Sequence, residues 1–83
     1  MPLYIDHHKN VEGLTEEAVA DAHAKDHEAQ EKYGVKYIKY WFNEDKGEVF
    51  CLVEAPSAEA ADAVHKEASG VGADEITEVK EGS

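Results

Sequence analysis

Residues 35–55 read VKYIKYWFNEDKGEVFCLVEA, and the way this stretch divides decides the fold. VKYIKYWF at 35–42 and EVFCLVEA at 48–55 are rich in β-branched and aromatic residues, which suit a pleated, half-buried surface. NEDKG at 43–47 has the polar, glycine-terminated composition of a turn, so the two runs are predicted to form a β-hairpin. Pro56 ends the second run, because proline has no N–H to give to a ladder.

Before the hairpin, the spacing predicts a helix starting near Thr15 and containing AHAKDHEAQEKYG at 22–34. Thr15 can cap the first turn, Glu16 and Glu17 lie at the positive end of the helix dipole, and Gly34 supplies a left-handed stop after Tyr33. Roughly five turns result. At ~100° per residue, Val19, Ala22, Ala29 and Tyr33 share one face and Asp26 projects between them. His23 and Gln30 flank that face, and His27 lies further toward solvent. Ahead of the helix, PLYID at 2–6 alternates as a strand and HHKNVEG reads as a polar connection.

After the hairpin, Ser57 can cap a shorter helix to about Ser69, with Ala61, Val64 and Ala68 as its apolar stripe and His65 on the flank. Gly70 and Gly72 release the chain, DEITEV at 74–79 is a last strand, and KEGS is a frayed tail. The order β-α-β-β-α-β is the split arrangement named ferredoxin-like, an α+β fold with both helices on one face of an antiparallel sheet. At 83 residues the chain is expected to be a single domain, near the size at which oligomerisation adds useful stability. In this topology the second strand lies at an edge, yet Tyr37, Ile38, Tyr40, Trp41 and Phe42 give it apolar groups on both faces. A homodimer contact is expected at that edge or on the open sheet face.

Eight basic against nineteen acidic residues give a formal net charge of −11, which disfavours nucleic acid and anionic membranes as partners. Neither a run of about 18 apolar residues nor a basic leader with an apolar stretch is present, so a cytoplasmic protein is expected. Cys51 is the one cysteine, which excludes an internal disulfide and multi-cysteine zinc motifs.

Several residues have metal-ligating chemistry. His23 and Asp26, three apart on the first helix, form a mixed nitrogen and oxygen donor set suited to nickel, zinc, copper or iron. Asp26 reads equally as the structural partner of His23 or of a core tyrosine. His65 either converges on these residues from the second helix or stays a partly exposed helical histidine. Cys51 shares a strand face with Val49 and Val53, as a packed thiol, a ligand, or a nucleophile with His23 or His65 as base. Tyr4, Asp6 and His8 share one side of the first strand and Leu3, Ile5 and His7 the other; Asp6 and His8 form a donor pair at the strand mouth unless HHK is a solvated loop. Glu54 is first part of a strand terminator and second a carboxylate at the rim.

MPLYID, AHAKDHEAQEKYGVKY, FCLVEAPSAEAADAVHKEASG and ADEITEV together resemble a family of small bacterial proteins typified by a nickel-binding protein and long catalogued as a domain of unknown function. The combination of Ala-His-x-x-Asp, Phe-Cys-Leu-x-Glu-Ala-Pro and Val-His-x-Glu-Ala is far more specific than any one of these motifs. The resemblance implies a ferredoxin-like fold, dimeric assembly and Ni(II) binding by histidine and carboxylate donors, with thiolate as a further candidate. The matching positions are His23, Asp26, Gln30, Cys51, Glu54, His65 and Asp74; His27 falls outside the pattern.

Two functions follow from the sequence. The first is binding of Ni(II) or another divalent transition metal for storage or buffering, with His23 and Asp26 as primary donors, His65 and Cys51 next, and Asp6, His8 and Glu54 as further candidate donors. Copper would bind the same donors at least as tightly, so spacing does not choose the metal. The second is a small-molecule enzyme or ligand-binding domain of the dimeric α/β-barrel type, in which Cys51 attacks, His23 or His65 is its base and Asp26 orients that base.

Overall fold

A computed structural model describes residues 1–70 and 72–82. Its elements follow the order β1 (Leu3–His8), α1 (Glu16–Gln30), β2 (Lys36–Asn43), β3 (Glu48–Glu54), α2 (Ala58–Ser69) and β4 (Glu75–Val79). The four strands pair antiparallel in the order β2-β3-β1-β4, the ferredoxin-like arrangement, with β2 and β4 at the edges. The tail has no regular structure through Gly82, and Ser83 lies outside the described residues.

The helix signals act where they are expected. Thr15 Oγ1 accepts the N–H of Ala18 at 3.1 Å, and Ser57 Oγ accepts that of Ala60 at 3.2 Å. The predicted single helix to Tyr33 instead tightens after Gln30 into one 3₁₀ turn, Glu31–Tyr33, before Gly34 turns left-handed at φ 66°. Gln30 holds this reversal: its carbonyl accepts from Val35 at 3.1 Å and its side-chain Oε1 accepts from Tyr37 N at 2.9 Å. That role accounts for the glutamine on the flank of the buried stripe.

Strand β1 runs two residues beyond the expected Asp6, so His7 and His8 belong to the sheet and not to a solvated loop. The reason is its central position. His8 faces Val49 in β3, while His7 is paired on both sides, with Phe50 and Glu75. Alternation separates the two rings as predicted: His7 stacks on Phe50 and meets Glu48 on the outer face, while His8 points toward the helices.

A bulge interrupts the β2 register between Tyr37 and Lys39, inserting Ile38. It lets both Tyr37 and Tyr40 pair with inward residues of β3, Val53 and Cys51, while Trp41 pairs with Phe50. Tyr37 is therefore core, 1% exposed, whereas Ile38 and Trp41 remain 38% and 49% exposed. Between sheet and helices lie Tyr4, Val35, Val53, Ala61 and Val64. Burying a side chain such as Val53 or Val64 contributes about 1.5–3 kcal/mol.

The segment joining β1 to α1 is tied to the hairpin turn, where Val11 N donates to Gly47 O at 2.9 Å. Gly47 has φ 66°, and a Cβ there would come within 3.0 Å of the Val11 carbonyl oxygen. Glycine is thus required twice, for its left-handed backbone and for the close approach.

Candidate metal centre

Strand register and helix docking bring four potential donors together. Asp6 in β1 and Cys51 in β3 are directly opposite one another and both face the helices. His8 follows two residues along the same face of β1. His65, beside the fully buried Val64 on α2, reaches down between them and is itself 4% exposed. One ligand atom from each of Asp6, His8, Cys51 and His65 lies within 4.8 Å of the others. Metal–ligand bonds of about 2.0–2.3 Å put tetrahedral donors about 3.3–3.8 Å apart, so a contraction of up to about 1 Å would enclose an ion.

His65 organises the cluster. Its Nδ1 lies 3.1 Å from Asp26 Oδ1, and its Nε2 is hydrogen-bonded to Asp6 Oδ2, with His8 Nε2 at 3.4 Å. Burial alone would lower the His65 pKa, but the bonds to Asp26, Asp6 and Cys51 outweigh it and push the value up to about 11. The metal-free imidazole is therefore a cation held between carboxylates. Burial pushes the Cys51 thiol up, and its hydrogen bond with His65 offsets only part of that. His8 is shifted down by burial and by the neighbouring His65.

Tyr37 completes the arrangement, although sequence reading treats it only as an apolar residue of the edge strand. Its hydroxyl donates toward Asp6 Oδ2 at 2.9 Å and lies 3.0 Å from the Ala61 carbonyl. Burial and the Asp6 carboxylate raise its pKa, so it stays a hydrogen-bond donor. The only available signal was the potential inward position of a tyrosine hydroxyl, and the bulge that sets that position is not readable locally. Among the described residues, Asp6 Oδ1 is buried without a hydrogen-bond partner. An orphaned carboxylate oxygen beside histidine and thiol donors is the feature a cation would satisfy.

The remaining predicted residues are placed differently. Asp26 is buried in the α1 stripe as expected, but its partner is His65 and not His23. His23 lies outside the four-donor group; its Nε2 pairs with His27 Nε2 at 3.0 Å, and burial followed by His27 lowers its pKa. Ala22 is exposed despite its place in the predicted stripe, because the helix turns that face toward a cavity. Glu54 falls at the end of β3 opposite Leu3, on the face away from Cys51. Asp74 acts locally: its Oδ2 accepts Lys9 N at 2.6 Å and its own N–H donates to His7 O at 3.0 Å, fastening the end of β1.

Beside the cluster is a cavity of about 410 Å³. His8, Cys51 and His65 line it together with Leu14, Val19 and Val49 and with the charged Lys9, Asp26 and Asp74.

Comparison with known proteins agrees with this architecture. Among curated proteins none matches the chain. The crystal structure of SCO4226 from Streptomyces coelicolor A3(2) superposes with a TM-score of 0.91 at 34% sequence identity, over 98% of this chain and 99% of that one. The family described as nickel responsive protein SCO4226-like matches residues 4–79. This chain therefore belongs to the SCO4226-like family of nickel responsive proteins.

Proposed function

We propose that this protein binds a divalent transition-metal ion, Ni(II) in first place, through Asp6, His8, Cys51 and His65, and serves as a cytoplasmic metal store or buffer. The observation that carries the reading is the convergence of four donor atoms within 4.8 Å of one another, at a residue, Asp6, whose Oδ1 has no hydrogen-bond partner among the described residues. The nickel-responsive family supports the choice of metal. His65 would bind through Nε2 while Nδ1–H donates to Asp26, the carboxylate–histidine pairing that fixes the tautomer of metal-bound imidazoles. Asp6 would be oriented by Tyr37, and the thiol of Cys51 would lose its proton to solvent under the ion's charge. When bound, the ion would replace the His65 proton as the positive charge between the carboxylates. Calorimetric titration of chelator-stripped protein with nickel, copper and zinc tests the proposal: stoichiometric binding that is lost in Asp6→Asn is expected, and no binding of any of the three removes it.

A second reading uses Cys51 as a nucleophile, His65 as its base and Asp26 as the group orienting the base, since all three line the cavity. It is the weaker one, because His65 Nε2 is committed to Asp6 and burial keeps the thiol protonated. Fast, pH-dependent alkylation of Cys51 in the metal-free native protein would favour it.

The assembly in this proposal is a homodimer. Trp41 and Ile38 are exposed, and Leu3, Ile5, Phe50 and Leu52 are only half-buried on the sheet face opposite the helices. A second copy of the chain would cover them. No helix among the described residues is long and apolar enough to cross a membrane.

A further inference from the structure

The cavity beside the four donors is larger than an ion requires. Its volume of about 410 Å³ lies within the range of about 300–1,000 Å³ occupied by small-molecule sites, whereas a water takes about 30 Å³. Val11, Leu14, Val19 and Val49 supply much of its wall, so water would find few hydrogen-bond partners over that part. The rings of His23 and Tyr40, with centroids 4.6 Å apart, add a flat aromatic section. His23 Nδ1 is shielded from solvent and has no hydrogen-bond partner among the described residues.

The direction in which the donors face is informative. His8, Cys51 and His65 line the cavity, but Asp6 does not. A ligand in the cavity would therefore approach the donor group from the side of His8, Cys51 and His65, with Asp6 set back from the cavity wall. A purely structural metal site closes its coordination shell with protein atoms, whereas an open side toward a shaped space is how a site admits an outside ligand. The charges around the space limit what enters. An anion would be drawn by the ion but would lose its water against Val11, Leu14, Val19 and Val49 and pass the Asp74 carboxylate, while Lys9, which also lines the space, is already paired with Glu75. A cation would be repelled by the ion and desolvated on the same wall, so an uncharged donor enters at least cost.

We infer that the cavity receives a small uncharged nitrogen heterocycle of the imidazole or pyridine class, its ring against the apolar wall and its nitrogen coordinating the ion held by Asp6, His8, Cys51 and His65. The inference rests on the metal-binding reading and adds an exogenous ligand to it. The nitrogen donates its lone pair to the ion, and no bond within the heterocycle changes.

The test loads wild type with Ni(II), confirms the bound metal by calorimetry, and titrates in 4-methylimidazole while following the ligand-field absorption bands. The same series is run on Ala18→Trp and Ala22→Trp, two exposed helical positions on the cavity wall that offer no donor atom and can accept bulk without disturbing the core. A saturable band shift in wild type is expected, weakened at least about tenfold in either tryptophan variant with nickel stoichiometry unchanged. Full nickel binding with no band shift, an equal shift in both variants, or removal of the nickel by 4-methylimidazole overturns this inference alone. Absence of nickel binding overturns it together with the metal reading.

Discussion

His65 Nδ1 lies 3.1 Å from Asp26 Oδ1, so the carboxylate embedded in the apolar stripe of α1 is answered by a histidine from α2. Neither group would be stable in so dry a place alone, since a buried charge needs a partner. The pair also leaves His65 Nε2 directed at Asp6, and that alignment carries the proposed chemistry.

Replacing Asp26 by asparagine keeps the shape and removes the charge. In metal-free protein Asp26→Asn should cost about 1–3 kcal/mol, the range for a charged buried hydrogen bond. Because Asp26 supports a ligand and does not itself join the four donors, nickel affinity should fall by about 10–100-fold and not vanish. Denaturant unfolding and calorimetry on the same preparation measure both. Unaltered stability with complete loss of nickel would instead make Asp26 a direct ligand.

Tyr37→Phe removes the hydroxyl that faces Asp6 and the Ala61 carbonyl. The fold should survive, with a loss of about 1–2 kcal/mol from the unpaired acceptors. If unfolding of the metal-free variant is indistinguishable from wild type, the hydroxyl contributes nothing to the cluster.

The metal-free protein should have a characteristic pH profile. The folded-state pKa of His65 is raised to about 11, so its contribution is complete below the ordinary histidine value of about 6.5 and is lost as pH rises through the folded value. His8 and His23 are shifted down and act in the opposite sense, weakening the fold as pH falls below that ordinary value. Melting points of chelator-treated protein should therefore decline on the alkaline side, and less steeply in His65→Gln. Parallel profiles for the two proteins would show that the His65 proton does not stabilise the fold.

Gly47→Ala should destabilise by about 1–2 kcal/mol, from the left-handed backbone alone. Asparagine tolerates that backbone better but still brings a Cβ toward Val11. Equal losses in Gly47→Ala and Gly47→Asn would assign the requirement to the contact with Val11, and a much smaller loss in Gly47→Asn would assign it to φ.

Trp41→Glu should weaken self-association more than it unfolds the subunit, because half of Trp41 is already exposed. Sedimentation at micromolar concentration should find wild-type dimers and variant monomers. Wild type that sediments only as a monomer rules the dimer out.

What the sequence determined by itself was the succession of elements. The hairpin at 35–55, the caps at Thr15 and Ser57 and the stop at Gly34 act through neighbours a few residues away, so their signals are local. The same locality identified Asp26 as a buried carboxylate and put Asp6 and His8 on one strand face. It could not identify their partners. Asp26 and His65 are 39 residues apart, and their meeting depends on how two helices dock across one sheet. Reading along one helix favoured the nearby His23, but that ring points to His27. Tyr37 was hidden for a related reason: the bulge at Ile38 changes the alternation of β2, and strand pairing, not the composition of β2, sets it. Side-chain chemistry is written in the chain, but distance and burial belong to the packed structure.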